Sequence, residues 1–206
     1  DALYKNRLMM LDIVNQNNWK RPIYFTGGSF GEDDYIWMKD YLQLDGMCFK
    51  LVPIKTPAES PSPMKMGLID SEKMYNIVMK WDWGNSGKSI IYHDVETRKN
   101  SITYRTNLAR LAETLITEGK LEKAEKVIDL AMEKMPVKYF EYYSMLEPFV
   151  IGYYEVGKKE KARAIISEVI KKYQENLRFY SGWKPSEQNF GAMDILCTDK
   201  TGTLTQ

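Results

Sequence analysis

The sequence predicts an α+β chain, mostly α, with a small strand–helix–strand N-terminal part followed by two helical hairpins. Three observations carry this. Residues 105–136 and 143–169 repeat one order of apolar and small residues around a Gly-Lys turn. Residues 21–26 and 47–52 are rich in strand formers and end at glycine or proline. Finally, 44% apolar and 13% aromatic residues supply enough buried surface for a core, which excludes global disorder. At 206 residues the chain holds one large domain or two small ones. The pattern divides it into a mixed part over 1–100, the hairpins over 101–180 and a tail over 181–206.

In order, Leu3, Arg7, Leu8, Leu11 and Val14 recur at helical spacing, and the run of Asn and Gln at 15–18 stops that helix. Residues 21–26 then read as a strand closed by Gly27 and Gly28. Asp33 or Asp34 offers a cap for a second helix through Tyr35, Met38, Tyr41 and Leu42. Residues 47–52 form the next strand, and the strand–helix–strand order predicts a small parallel pair with a crossover helix. Four prolines between 53 and 63 interrupt regular structure. Asp70 or Ser71 caps a helix through Met74, Ile77, Val78 and Trp81, and residues 84–88 end it. Residues 89–100 leave a short strand at 90–92 and a plain loop both open.

The repeats are clearer. Counting from Arg105, Leu108, Leu111, Ala112 and Leu115 line the first helix, and Gly119 makes the turn. Ala124, Ile128 and Ala131 line the second helix, and Pro136 closes the unit. From Tyr143 the same places hold Leu146, Phe149, Val150, Tyr153, Gly157, Ala162, Ile166 and Val169. Both turns are Gly-Lys and both lead into Lys-Ala. Glycine accepts the left-handed turn, and alanine lets the helices approach. These positions resemble the tetratricopeptide repeat. The offset of 38 between copies exceeds the 34-residue period, which places about four inserted residues at 137–142. The resemblance implies architecture and a scaffold for polypeptide partners, not a chemistry.

Charge and motifs exclude several function classes. Twenty-nine basic and 28 acidic residues leave a net +1, without the clustered positive surface that nucleic acid requires. The most apolar run, 145–154, is broken by Glu147 and Pro148 and falls short of the roughly 18 residues that span a bilayer. No signal peptide opens the chain, and the absence of an initiator Met predicts a fragment. Cys48 and Cys197 leave disulfide pairing open. Gly84-Asn85-Ser86-Gly87-Lys88-Ser89 has the Gly-Lys-Ser step of a phosphate-binding loop but lacks the earlier glycine, so a turn is expected. His93 stands without a catalytic pattern around it. No metal-ligand spacing, cofactor motif or catalytic set is expected.

Two candidate surfaces remain. Gly27, Gly28 and Ser29, with Trp37 nearby, could present backbone amides and an aromatic face to an anion or a carbohydrate, although Glu32, Asp33 and Asp34 oppose an anion. Tyr104, Tyr139, Tyr142 and Tyr153 are candidate partner contacts on the hairpins.

Asn18-Trp19-Lys20-Arg21-Pro22-Ile23-Tyr24-Phe25-Thr26 is distinctive. So are Tyr41-Leu42-Gln43-Leu44-Asp45-Gly46, Leu51-Val52-Pro53-Ile54, Trp83-Gly84-Asn85 and Asn107-Leu108-Ala109-Arg110-Leu111. Together, over residues 1–186, they resemble bacterial multi-pass membrane proteins similar to protein O-mannosyltransferases. The resemblance implies a soluble portion on the extracytoplasmic (periplasmic) face of the inner membrane, with glycosyl transfer carried by a membrane-embedded part. Asp199-Lys200-Thr201-Gly202-Thr203 resembles the phosphorylation segment of magnesium-transporting P-type ATPases, in which the aspartate matching Asp199 accepts phosphate. Residues 189–206 lack the nucleotide-binding sequence expected beside it, so they read as a fusion scar. The expected function is therefore a non-catalytic accessory or protein-interaction domain of a membrane glycosyltransferase-like protein. The alternative is a carbohydrate- or anion-binding module centred on residues 27–37.

Overall fold

The computed structural model describes residues 4–26, 35–56, 66–87 and 91–182. The chain divides into two compact units, Asp1–Trp81 and Asp82–Gln206. It is α+β and mostly α.

In the first unit, helix α1 (Lys5–Asn17) ends where Asn18 turns left-handed. It packs only Met10 and Val14 on the core, while Leu8 and Leu11 stay 49% and 44% exposed. Strand β1 (Tyr24–Thr26) is followed by a 3-10 helix, Ile36–Tyr41, then β2 (Leu42–Asp45) and β3 (Cys48–Leu51). The sheet order is β1-β3-β2 and both pairings are antiparallel. This corrects the expected parallel pair. Gly46 and Met47 make a two-residue reversal, with Gly46 at φ 71, so β2 and β3 form a hairpin and no crossover is needed. Leu42 belongs to the strand; the i, i+3 spacing of Tyr35, Met38 and Tyr41 is that of a 3-10 helix.

Phe25, Phe49 and Leu44 share one sheet face with Leu42 and Leu51. Tyr35 lies over it, 5.3 Å from the Phe25 ring and 5.8 Å from Phe49, and Met38 and Met66 complete the core. The outer edge of β2 is covered by backbone: Leu44 N–H donates to Leu68 O, and Leu68 N–H to Leu42 O. Helix α2 (Ser71–Val78) begins as expected, with the Asp70 carboxylate accepting from Lys73 N–H at 3.1 Å. It stops three residues before Trp81.

The regular structure among the described residues of the second unit is helical. Helix α3 (Val95–Thr117) starts ten residues before the first repeat position, at an Asp94 cap that accepts from Thr97 N–H and Oγ. Residues 91 and 92 form no strand. Helix α3 pairs with α4 (Leu121–Lys134) through a turn at Gly119, φ 74. A one-turn helix α5 (Val137–Phe140) occupies the stretch expected to be inserted, and a 3-10 helix, Tyr143–Leu146, stands where the second copy was expected to begin its helix. Helix α6 (Glu147–Glu155) then pairs with α7 (Lys159–Ser181) through Gly157, φ 78. Leu108, Leu111, Leu115, Ala124, Ile128, Ala131, Phe149 and Ala162 are all fully buried. Each of the repeat positions on α3 and α4 is therefore buried, while Ile166 and Val169 on α7 are half-buried. Among the described residues, no helix is long and apolar enough to cross a membrane.

Candidate functional site

The two surfaces named from the sequence sit in different units. Gly27, Gly28 and Ser29 lie outside the described residues, as do Glu32, Asp33 and Asp34. Trp37 is described, 38% exposed, and lines a cleft of about 450 Å³ with Val14, Trp19, Met38, Tyr41, Leu51, Val52 and Pro53. Three neighbouring elements bring these residues together. The end of α1 supplies Val14, and the left-handed pair Asn18 (φ 44) and Trp19 (φ 57) follows it. The 3-10 helix supplies Trp37, Met38 and Tyr41. The strand end at Leu51 is tied to that helix, since Val52 N–H donates to Tyr41 O at 2.8 Å. Among the described residues, no lining side chain is charged. Sequence reasoning singled out Trp37 here. Trp19 and Tyr41 lie 18 residues before it and four after, and only the fold joins them.

On the hairpins the four tyrosines have different environments. The half-buried Tyr104 ring lies 5.5 Å from Trp83. Tyr139 is half-buried beneath Lys138 Nζ, 5.5 Å from its ring centre. Tyr142 is half-buried with φ 50, beside Glu141 with φ 56. Tyr153 is 3% exposed and faces inward, which corrects its reading as a partner contact. Its hydroxyl donates to Asp129 Oδ1 at 2.6 Å, and burial with that carboxylate pushes the phenol well above its usual pKa. Lys161 Nζ reaches Asp129 at 2.8 Å and Glu125 at 3.0 Å, and Lys158 Nζ reaches Glu125 at 3.2 Å. Tyr153 thus belongs to a polar clasp between α4, α6 and the start of α7.

A second polar centre escaped the sequence. Arg105 is 0% exposed on α3. Its Nη1 donates to Glu141 O at 2.5 Å and its Nη2 to Met135 O at 2.8 Å. Burial pushes the guanidinium down to about 10, which leaves it charged at neutral pH. Nearby, Arg98 Nη1 pairs with the Glu141 carboxylate at 2.8 Å. The two arginines therefore hold the stretch between the hairpins in its left-handed turn. The His93 ring lies against Phe140, tilted by 39° with ring centres 4.5 Å apart. Among the described residues, no three His, Cys, Asp or Glu side chains gather where a metal ion could be held.

Residues 1–73 match the family model described as TMEM260-associated domain 2. Over 19 residues the chain is 95% identical to "Magnesium-transporting ATPase, P-type 1" of Salmonella typhimurium. That stretch is 9% of this chain and 2% of the ATPase, and agrees with the resemblance read in the tail. No solved structure matches.

Proposed function

We propose that this chain is a non-catalytic accessory and protein-interaction domain of a membrane glycosyltransferase-like protein. The observation that carries the reading is the match of residues 1–73 to a domain associated with TMEM260, a mannosyltransferase-like membrane protein. Two antiparallel helix pairs, α3–α4 and α6–α7, support a tetratricopeptide-like arrangement for the remainder. In this reading the hairpin unit engages a polypeptide, the acceptor or a partner, with Tyr104, Tyr139 and Tyr142 as contacts. The domain lies on the extracytoplasmic, periplasmic side of a bacterial inner membrane. It binds no nucleic acid and uses no cofactor, and the sugar donor is handled by the membrane-embedded part. The 19-residue ATPase-like stretch does not belong to this activity, and Asp199 does not accept phosphate.

The test compares the parent protein with a version lacking the region equivalent to residues 4–182. Transfer to a polypeptide acceptor should fall about tenfold or more while hydrolysis of the lipid-linked sugar donor persists. Equal transfer by both proteins would contradict the proposal, as would transfer catalysed by this chain alone.

A further inference from the structure

The cleft beside Trp37 has no part in the hairpin reading, and its lining narrows what it can hold. Met38 and Leu51, 7% and 6% exposed, form the floor with the half-buried Val14 and Val52. Trp19, Trp37 and Tyr41 form the rim at 50%, 38% and 44% exposed, with Pro53 beside them. The volume of about 450 Å³ falls within the usual range for ligand sites, roughly 300–1,000 Å³. Asn18 and Trp19 both adopt a left-handed backbone, which costs a residue with a side chain about 1–2 kcal/mol. That conformation accompanies a tryptophan that stays half exposed at the rim of a cleft.

We propose that this cleft takes a neutral, proline-bearing, extended segment of a polypeptide partner. The proposal rests on the reading of the chain as a polypeptide-binding accessory domain, and it names the class of segment bound. Charge complementarity is the first argument. Among the described residues no lining side chain is charged, so a phosphate or carboxylate would lose its water to them without gaining a counter-charge. A sugar fares little better, because hydroxyls set against Met38, Leu51, Val14 and Val52 lose hydrogen bonds at about 1–3 kcal/mol each. A proline ring carries no donor, and its methylenes match an aliphatic floor and stack on indole and phenol faces. Extended proline-containing backbone keeps its carbonyls outward, and the Trp19 indole and Tyr41 hydroxyl at the rim are donor types that such carbonyls meet. The segment is also pre-shaped, so little conformational entropy is lost on docking.

The experiment titrates the full chain with decaproline and follows the indole N–H signals by NMR, assigned with Trp19→Phe and Trp37→Phe. The Trp19 and Trp37 signals should shift while those of the other tryptophans hold still. Trp37→Ala and Trp19→Ala should each weaken binding about tenfold or more, and Trp37→Phe, which keeps a ring, should retain most of it. Mannobiose and inorganic phosphate are titrated in parallel. Shifts at Trp19 and Trp37 with either of these but not with decaproline would overturn the proposal, and so would silence from all three. Because glycosyl transfer by the parent is read separately, failure here leaves the accessory-domain reading standing.

Discussion

Replacing Arg105 with alanine should lower the stability of the hairpin unit by about 3 kcal/mol. The guanidinium is fully buried and donates to the carbonyls of Met135 and Glu141. Each carbonyl left without a donor in the interior costs about 1–3 kcal/mol, and the cavity left by the side chain adds to that. Removing a buried charge returns some desolvation energy, which keeps the estimate below the simple sum. Arg105→Lys should recover only part of the loss, since one ammonium cannot reproduce a planar fork that reaches two separated carbonyls. A denaturant titration checks this: the midpoint should fall with the slope unchanged. A loss below about 1 kcal/mol would mean that the 135–142 stretch keeps its shape without the arginine.

Gly87→Ala should have the next largest effect, about 2–3 kcal/mol. Gly87 sits at φ 84, and a Cβ there would strike the carbonyl oxygen of Glu133. Backbone at the end of α4 cannot move aside as a flexible side chain would. Ser86 Oγ fixes the approach by donating to Lys134 O at 2.6 Å. The stretch that resembles a phosphate-binding loop is thus, at Ser86 and Gly87, a turn clamped on the C-terminal end of a helix. Gly84→Ala is the control, because no atom lies within 4 Å of a Cβ at that position. It should cost only the left-handed backbone penalty of about 1–2 kcal/mol. Thermal unfolding of the two variants should separate them, and equal losses would contradict the clamp.

The hairpins were legible because helical periodicity and small-residue placement are local properties. Leu108, Leu111, Ala124 and Phe149 face inward simply because their spacing matches the helix period. Arg105 could be placed at the head of the repeat, but its acceptors are carbonyls 30 and 36 residues later, and a carbonyl leaves no mark on residue type. Tyr153 holds the repeat place of Leu115, from which its burial follows, but its bond to Asp129 does not, because that carboxylate lies 24 residues earlier on another helix. In the first unit, β2 was hidden because its first residue, Leu42, stands four residues after Met38, an interval that reads as α-helix. Strand direction was hidden because a two-residue turn at Gly46-Met47 counts for more than strand–helix–strand order. The cleft was legible only at Trp37. Trp19 enters it through a left-handed turn, and Tyr41 through the 3-10 helix, neither of which composition reveals.

The central claim, that this chain is an accessory part of a membrane glycosyltransferase-like protein, is tested most directly by sequencing the source gene across both ends of the stretch that encodes it. The account predicts a continuous upstream frame with many apolar segments of about 20 residues, each long enough to span a bilayer. It also predicts a natural sequence that departs from the ATPase-like stretch after the last helix. A short frame that opens near Asp1 and runs naturally through Asp199 would contradict both the membrane-bound parent and the fusion reading.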